Sequence, residues 1–247
     1  MRSIIATLFL CVTAHFIIAC DPIKPAHVVV VLDQSESMTR TRPAALGVSE
    51  ASIRLPGIRK NSTIAFMVTG TVRTSSETVL LGVLPIVKGR KAMEGPIRAN
   101  DNAEFIGRVE QLLNGLANDA PISPVALAIM RAIQYLRGQG CGADPAIASC
   151  YLTIISDGEE TEEQSIVKAL HGKGDFKPPE NLVIDNTGIE VRFCGISDTT
   201  NIVPERNSAT ATRLEQVWKS IFKEPGSVFF DPFCPQSRAM EENNESP

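Results

Sequence analysis

Histidine is nearly absent, with three residues in a chain of 247. His15 lies in an apolar amino-terminal segment, which leaves His27 and His171. His27 opens an apolar run and His171 closes a helical one, so neither is placed to serve a serine nucleophile. The sequence Gly47-Val48-Ser49-Glu50-Ala51 departs from Gly-x-Ser-x-Gly at its last position, and no Gly-x-x-x-x-Gly-Lys-Ser/Thr loop occurs. A phosphatase of the Asp-x-Asp type needs a second Asp where Ser35 stands. Cys-x-x-Cys spacing is also missing, which argues against a thiolate zinc site. These absences point away from an enzyme. Charge of one sign is lacking too: 24 Lys and Arg, scattered along the chain, face 28 Asp and Glu. That balance argues against a nucleic-acid partner. Beyond the amino terminus no apolar stretch approaches the roughly 20 residues of a membrane-spanning helix. No internal repeat is visible.

The amino terminus carries an address. Met1-Arg2-Ser3 is a short positive start, and Ile4 to Ala19 is apolar apart from interruptions of the Ser/Thr type and His15. Residues 1–19 therefore read as a signal peptide, too short for a comfortable membrane span. The segment ends in Ile17-Ile18-Ala19-Cys20, which resembles a bacterial lipoprotein box with Cys20 as the lipidated residue. An ordinary signal peptide with an incidental Cys20 is the alternative. Residues 20–25 then form the lipidated Cys and a short tether. In the enterobacterial sorting pattern, Asp21 directly after the Cys favours the inner membrane. The expected location is a bacterial cell envelope, lipid-anchored and facing the periplasm. After cleavage the chain keeps 23 basic and 28 acidic residues, a net charge of −5.

The cysteines agree with export. Cys11 leaves with the signal peptide and Cys20 takes the lipid, so Cys141, Cys150, Cys194 and Cys234 remain. An even number in an oxidising compartment indicates disulfides, and four cysteines allow three pairings. Cys141 and Cys150 bracket a short loop containing Gly and Pro, and they are expected to pair. Cys194–Cys234 would then tie the carboxyl-terminal segment to a strand.

About 228 mature residues suit one domain with a sizeable core. Val28 to Leu32 and Tyr151 to Ile155 are apolar runs that read as buried parallel strands. Further strands are expected at Thr63–Thr69, Thr78–Val87, Ile189–Ile196 and Val228–Phe230. Helices are expected at Ala103–Leu116, Val125–Arg137, Thr161–Leu170 and Thr210–Phe222. In the last of these, Leu214, Val217, Trp218, Ile221 and Phe222 share a face that reads as core. Gly89–Asn102 and Gly172–Gly188 read as solvated surface insertions. Residues 235–247 form a polar tail with few apolar side chains to bury.

The chemistry concentrates after two of these strands. Asp33-Gln34-Ser35-Glu36-Ser37 follows the first and has the form Asp-x-Ser-x-Ser. On its own this is also what a turn with an Asp cap before a helix looks like. Ser156-Asp157-Gly158 follows Ile155, and Ser123 precedes the helix at Val125. Three loops thus offer two carboxylates and three hydroxyls, small hard oxygen donors that suit a divalent cation. Ligands also favour the carboxyl ends of the strands in open α/β sheets. Glu36 and Glu159 flank the cluster, as solvated charges or as groups that tune its selectivity.

This set resembles the von Willebrand factor type A domain with its metal-ion-dependent adhesion site. The resemblance spans roughly Ala26 to Asp231. Asp33, Ser35 and Ser37 match the first loop of the family pattern, and Asp157 matches the third. Ser123 stands for the family's Thr by hydroxyl only, and Ile122 replaces the Gly before it. The resemblance implies a doubly wound, mostly parallel α/β sheet with helices on both faces, of Rossmann-like type, in a single domain over 26–234. It implies that Thr63–Thr69 and Thr78–Val87 form the antiparallel edge pair. It also implies Mg²⁺ (or Mn²⁺) held by Asp33, Ser35, Ser37, Ser123 and Asp157, with one coordination position open to an Asp or Glu of a protein partner. The expected function is metal-dependent adhesion or assembly at a membrane. The alternatives are a solute- or ion-binding lipoprotein and a structural domain with a degenerate metal site.

The mature protein is expected to begin at lipidated Cys20 and to resist salt extraction from membranes, because an acyl anchor is hydrophobic. Mass spectrometry of the amino terminus checks this. The Cys20→Ser variant is expected to be uncleaved or soluble.

Overall fold

A computed structural model describes residues 24–35, 38, 41–54, 61–69, 78–86, 99–116, 120–142, 144, 146–195, 208–231 and 234. Residues 1–19, expected to be a signal peptide, Cys20, Asp21, Glu36, Ser37, residues 89–98, Ile196 and residues 235–247 lie outside them.

Among the described residues six strands form one sheet: β1 (Ala26–Asp33), β2 (Thr63–Thr69), β3 (Val79–Pro85), β4 (Ser149–Ile155), β5 (Glu190–Cys194) and β6 (Val228–Asp231). Their order is β3-β2-β1-β4-β5-β6, with β3 antiparallel to β2 and every other pair parallel. Every residue of β1 is buried, as a central strand covered on both faces requires. The edge strand β3 leaves Leu80 and Val83 exposed.

Among the described residues five helices cover the sheet: α1 (Thr41–Ile53), α2 (Ala99–Leu113), α3 (Val125–Gly138), α4 (Gln164–His171) and α5 (Ser208–Ser220). Strand alternation sorts the core into two layers. Val29, Val31, Ala65, Met67, Leu152 and Ile154 face α3, α4 and α5. Val28, Val30, Leu32, Ile64, Phe66 and Val68 face α1 and α2. Helix α3 buries Val125, Ala128, Ile129, Ala132, Ile133 and Leu136, the stripe expected of a helix on a sheet. Trp218 is fully buried against Phe193, which also stacks on Phe230 at 4.9 Å. Cys141 is bonded to Cys150, and Cys194 to Cys234.

Several boundaries differ from the sequence expectation. Helix α4 begins at Gln164 rather than Thr161, because Glu163 caps it by accepting from Ser165 N, while Glu160 and Thr161 are engaged elsewhere. Helix α2 starts at Ala99, taking in the end of the supposed 89–102 insertion, and stops at Leu113 ahead of Gly115, whose φ is +88°. The strand around Cys194 is shorter at its start, beginning at Glu190. The segment 172–188 is not wholly a solvated loop. Its second half buries Leu182, Ile184 and Asn186. Ile184 N donates to Ile221 O at 2.7 Å, and Lys223 N donates to Ile184 O at 2.9 Å. The Asn186 amide donates to Glu224 O and Ser227 Oγ and accepts from Glu224 N. A buried amide satisfied on both sides clamps this segment to the turn after α5.

Trp218→Ala is expected to destabilise the fold by about 3–5 kcal/mol, the usual cost of a large aromatic removed from a packed core. Urea unfolding followed by circular dichroism checks the figure.

Candidate metal centre

The site forms where β1, β2 and β4 end. Asp33 is the last residue of β1 and is fully buried. Its Oδ1 accepts from Ser35 N at 2.9 Å, which folds the first loop back on its own carboxylate. Its Oδ2 accepts from Ser123 Oγ at 2.6 Å and from Ser156 Oγ at 2.8 Å. One carboxylate thereby joins three loops separated by 90 and 123 residues in sequence. Thr41, at the start of α1, donates its hydroxyl to Asp33 O and holds the far side of the first loop.

Backbone contacts bring the loops into register. Ala120 N donates to Gln34 O at 3.0 Å, and Ser35 and Ala120 form a parallel bridge. Ser123 N donates to Thr161 Oγ1 at 2.7 Å, while Thr161 N donates to Ser123 O at 3.2 Å. Gly158 turns the third loop with φ +81°, a conformation that favours glycine. Gly158 O accepts from the buried Trp218 indole at 2.8 Å. Asp157 is buried beside Asp33, and its Oδ1 accepts from Glu159 N at 3.0 Å.

Glu160 completes the frame. Pro124 precedes α3 and supplies no side-chain cap. Glu160, from the third loop, accepts from Ala126 N at 2.7 Å through Oε2 and from Glu162 N and Glu163 N through Oε1. It satisfies an orphan donor of α3 and sets a carboxylate at the positive end of that helix. Burial nevertheless pushes its carboxyl above the usual range, against the effect of those hydrogen bonds.

Electrostatics at the centre are unbalanced. Burial raises the Asp33 carboxyl above its ordinary value. The Ser123 hydrogen bond opposes the shift, repulsion from Asp157 adds to it, and the bonds from Ser35 and Ser156 oppose it. Two buried carboxylates that repel one another are relieved by a cation. The donor set also fits one. A serine hydroxyl that gives its proton to a carboxylate turns its lone pairs outward as ligands. Ser123 is arranged in this way, whereas Ser156 Oγ also accepts from Gly158 N at 3.0 Å and acts mainly to orient Asp33. Among the described residues no group of three or more His, Cys, Asp or Glu could hold a metal ion. An all-carboxylate or imidazole cage is therefore not what these residues build.

Of the residues expected from sequence, the structure brings Asp33, Ser35, Ser123 and Asp157 to one end of the sheet, and Ser37 lies outside the described residues. Glu159 is exposed at the rim. Sequence reading missed Ser156, Thr161 and Glu160 as parts of the frame. Ser156 was within sight, one residue before Asp157. The contacts of Glu160 and Thr161 to the second loop, 34 and 38 residues away, leave no local pattern.

Strand order, the single antiparallel edge and the placement of this cluster define a fold of the von Willebrand factor type A kind. Similar solved structures include an aerotolerance-related membrane protein from Bacteroides fragilis, at 14% identity over 89% of this chain and 98% of that one, with a TM-score of 0.42. The manganese-loaded TRAP protein of Plasmodium vivax is 11% identical over 75% of this chain and 66% of that one, with a TM-score of 0.41. Proximal thread matrix protein 1 from the mussel byssus, in a structure with a zinc-occupied MIDAS motif, is 10% identical over 85% and 44%, with a TM-score of 0.42. No family model matches the chain, and no curated protein matches it in sequence.

Glu160→Ala is expected to destabilise the protein by about 2 kcal/mol, since it leaves buried N–H donors without their charged acceptor. Glu160→Gln, which keeps one acceptor oxygen, is expected to cost less. Chemical denaturation of the three proteins side by side checks the order.

Proposed function

We propose that this chain is a divalent-metal-dependent protein-binding module displayed on a bacterial membrane. The observation that carries the reading is the convergence of Ser123, Ser156 and the buried Asp157 on the fully buried Asp33. Mg²⁺ or Mn²⁺ would be held by Asp33, Ser35, Ser37, Ser123 and Asp157, directly or through water. When bound, the ion supplies an electrophilic position that takes a carboxylate. With only two charged ligands its charge is incompletely balanced, so an incoming Asp or Glu of a partner is attracted in a partly desolvated site. The hydrogen-bonded loops hold the donors in place beforehand, which lowers the ordering cost of binding.

The position of the site on the fold suits display. The tether enters at Ala26, at the amino end of β1, and the cluster lies at the carboxyl end. Eight residues of strand separate the two, about 26 Å at the usual rise. With Cys20 lipidated, the binding face would point away from the bilayer. Among the described residues no helix is long and apolar enough to cross a membrane.

Calorimetry of the purified protein is expected to show one Mg²⁺ or Mn²⁺ per chain. Asp33→Ala is expected to abolish the binding while the circular dichroism spectrum persists, and Asp157→Ala to weaken it severely. Ser123→Thr keeps the hydroxyl and is expected to bind at least as well as the parent. Partners captured from membrane extracts are expected to dissociate in excess chelator and to return with metal. Partners that stay bound through chelator, and to Asp157→Ala, would remove the metal-bridged mechanism.

A further inference from the structure

One buried hydroxyl beside the centre has no use within the described structure. Thr69 ends β2, is fully buried, and its Oγ1 has no hydrogen-bond partner among the described residues. Its position is informative. Thr69 is the parallel partner of Asp33 in the β1–β2 ladder. The inward rows Val29–Val31, Ala65–Met67 and Leu152–Ile154 face the α3 layer, and continued alternation brings Asp33, Thr69 and Ser156 to that same face. Asp33 is thus flanked by a hydroxyl on each neighbouring strand. The Ser156 hydroxyl on β4's side donates to Asp33 Oδ2 at 2.8 Å. The Thr69 hydroxyl on β2's side has no partner among the described residues. A valine would fill that position at the same volume and without a polar group, so core packing gives no reason for the hydroxyl.

We propose that Thr69 is a positioning residue of the metal centre. Its hydroxyl holds a water of the cation's hydration shell against β2, on the side of Asp33 opposite Ser156. A small hard cation retains several waters when few charged ligands surround it, and those waters need acceptors and donors in the wall of the site. A buried hydroxyl in register with the first-loop carboxylate meets that need. The inference rests on the metal-binding reading above and adds to it a residue outside all three loops.

Mn²⁺ titration of the purified protein, with thermal unfolding in parallel, tests it on the parent, Thr69→Val, Thr69→Ser and Asp33→Ala. Thr69→Val is expected to weaken Mn²⁺ binding about tenfold, the lower range for loss of an outer-shell partner. Thr69→Ser is expected to bind within about threefold of the parent, as the outer-shell hydroxyl is retained. The metal-free melting temperature of Thr69→Val should equal or exceed the parent's, because an unpartnered buried hydroxyl is removed. That sign separates the proposal from a structural role, in which Thr69→Val would melt lower without metal. Mn²⁺ binding by Thr69→Val as tight as the parent's, with binding lost in Asp33→Ala, overturns the role of Thr69 and leaves the centre standing. Absence of Mn²⁺ binding by the parent overturns both.

Discussion

The structure turns on one buried carboxylate. Asp33 lies at the end of a strand that is covered on both faces, where an isolated charge is costly. It is stabilised by a backbone N–H from its own loop and by hydroxyls from two distant ones. Those bonds require Ser123 and Ser156 to reach one oxygen, so the loop before α3 and the loop after β4 must close over the end of β1. The surrounding contacts serve that closure. Ser123 and Thr161 bond to each other twice, Glu160 caps α3 from the neighbouring loop, and Trp218 anchors Gly158 from the helical layer.

The same arrangement is what motivates the proposal of a cation there. The hydroxyls orient Asp33 but leave Asp157 close to it, and burial, with the repulsion from Asp157 added, keeps the Asp33 carboxyl raised. Neutral hydroxyls supply ligand atoms without cancelling an ion's charge. On the proposed reading, a site of this composition would bind metal weakly by itself and gain from a third carboxylate brought by another molecule.

Support for the loops comes from places that look unrelated to them. The disulfide between Cys194 and Cys234 closes next to Gly195, whose φ of +95° turns the chain after β5. A Cβ at Gly195 would come within 3.3 Å of Ser156 O and 3.5 Å of the Cys234 sulfur. Ser156 N in turn donates to Cys194 O at 3.1 Å. The end of β5 therefore braces the residue that orients Asp33. The clamp of Asn186 on the turn after α5 steadies the helix that carries Trp218.

The sequence by itself determined the class of fold and brought Asp33, Ser35, Ser123 and Asp157 into view as one cluster. Val28–Leu32 and Tyr151–Ile155 are short apolar runs that read as doubly covered parallel strands, and periodicity marked α3 and the Trp218 face of α5. Asp33, Ser35 and Asp157 were legible because each follows such a run directly, in a spacing that places donors at a strand's carboxyl end. Ser123 was legible from its position before a helix. Tertiary structure decided the rest, because the remaining roles depend on groups distant along the chain. Thr161 was expected to open a helix, yet the bonds that it and Glu160 make to the second loop outweigh a first helical turn, and α4 begins at Gln164. Leu182, Ile184 and Asn186 lay in a segment rich in polar and turn residues, and the core layer together with the turn after α5 buries them. Thr69 carries no signal at all in sequence, where it is one more β-branched residue in a strand. Its register with Asp33 is set by strand pairing, which no local pattern encodes.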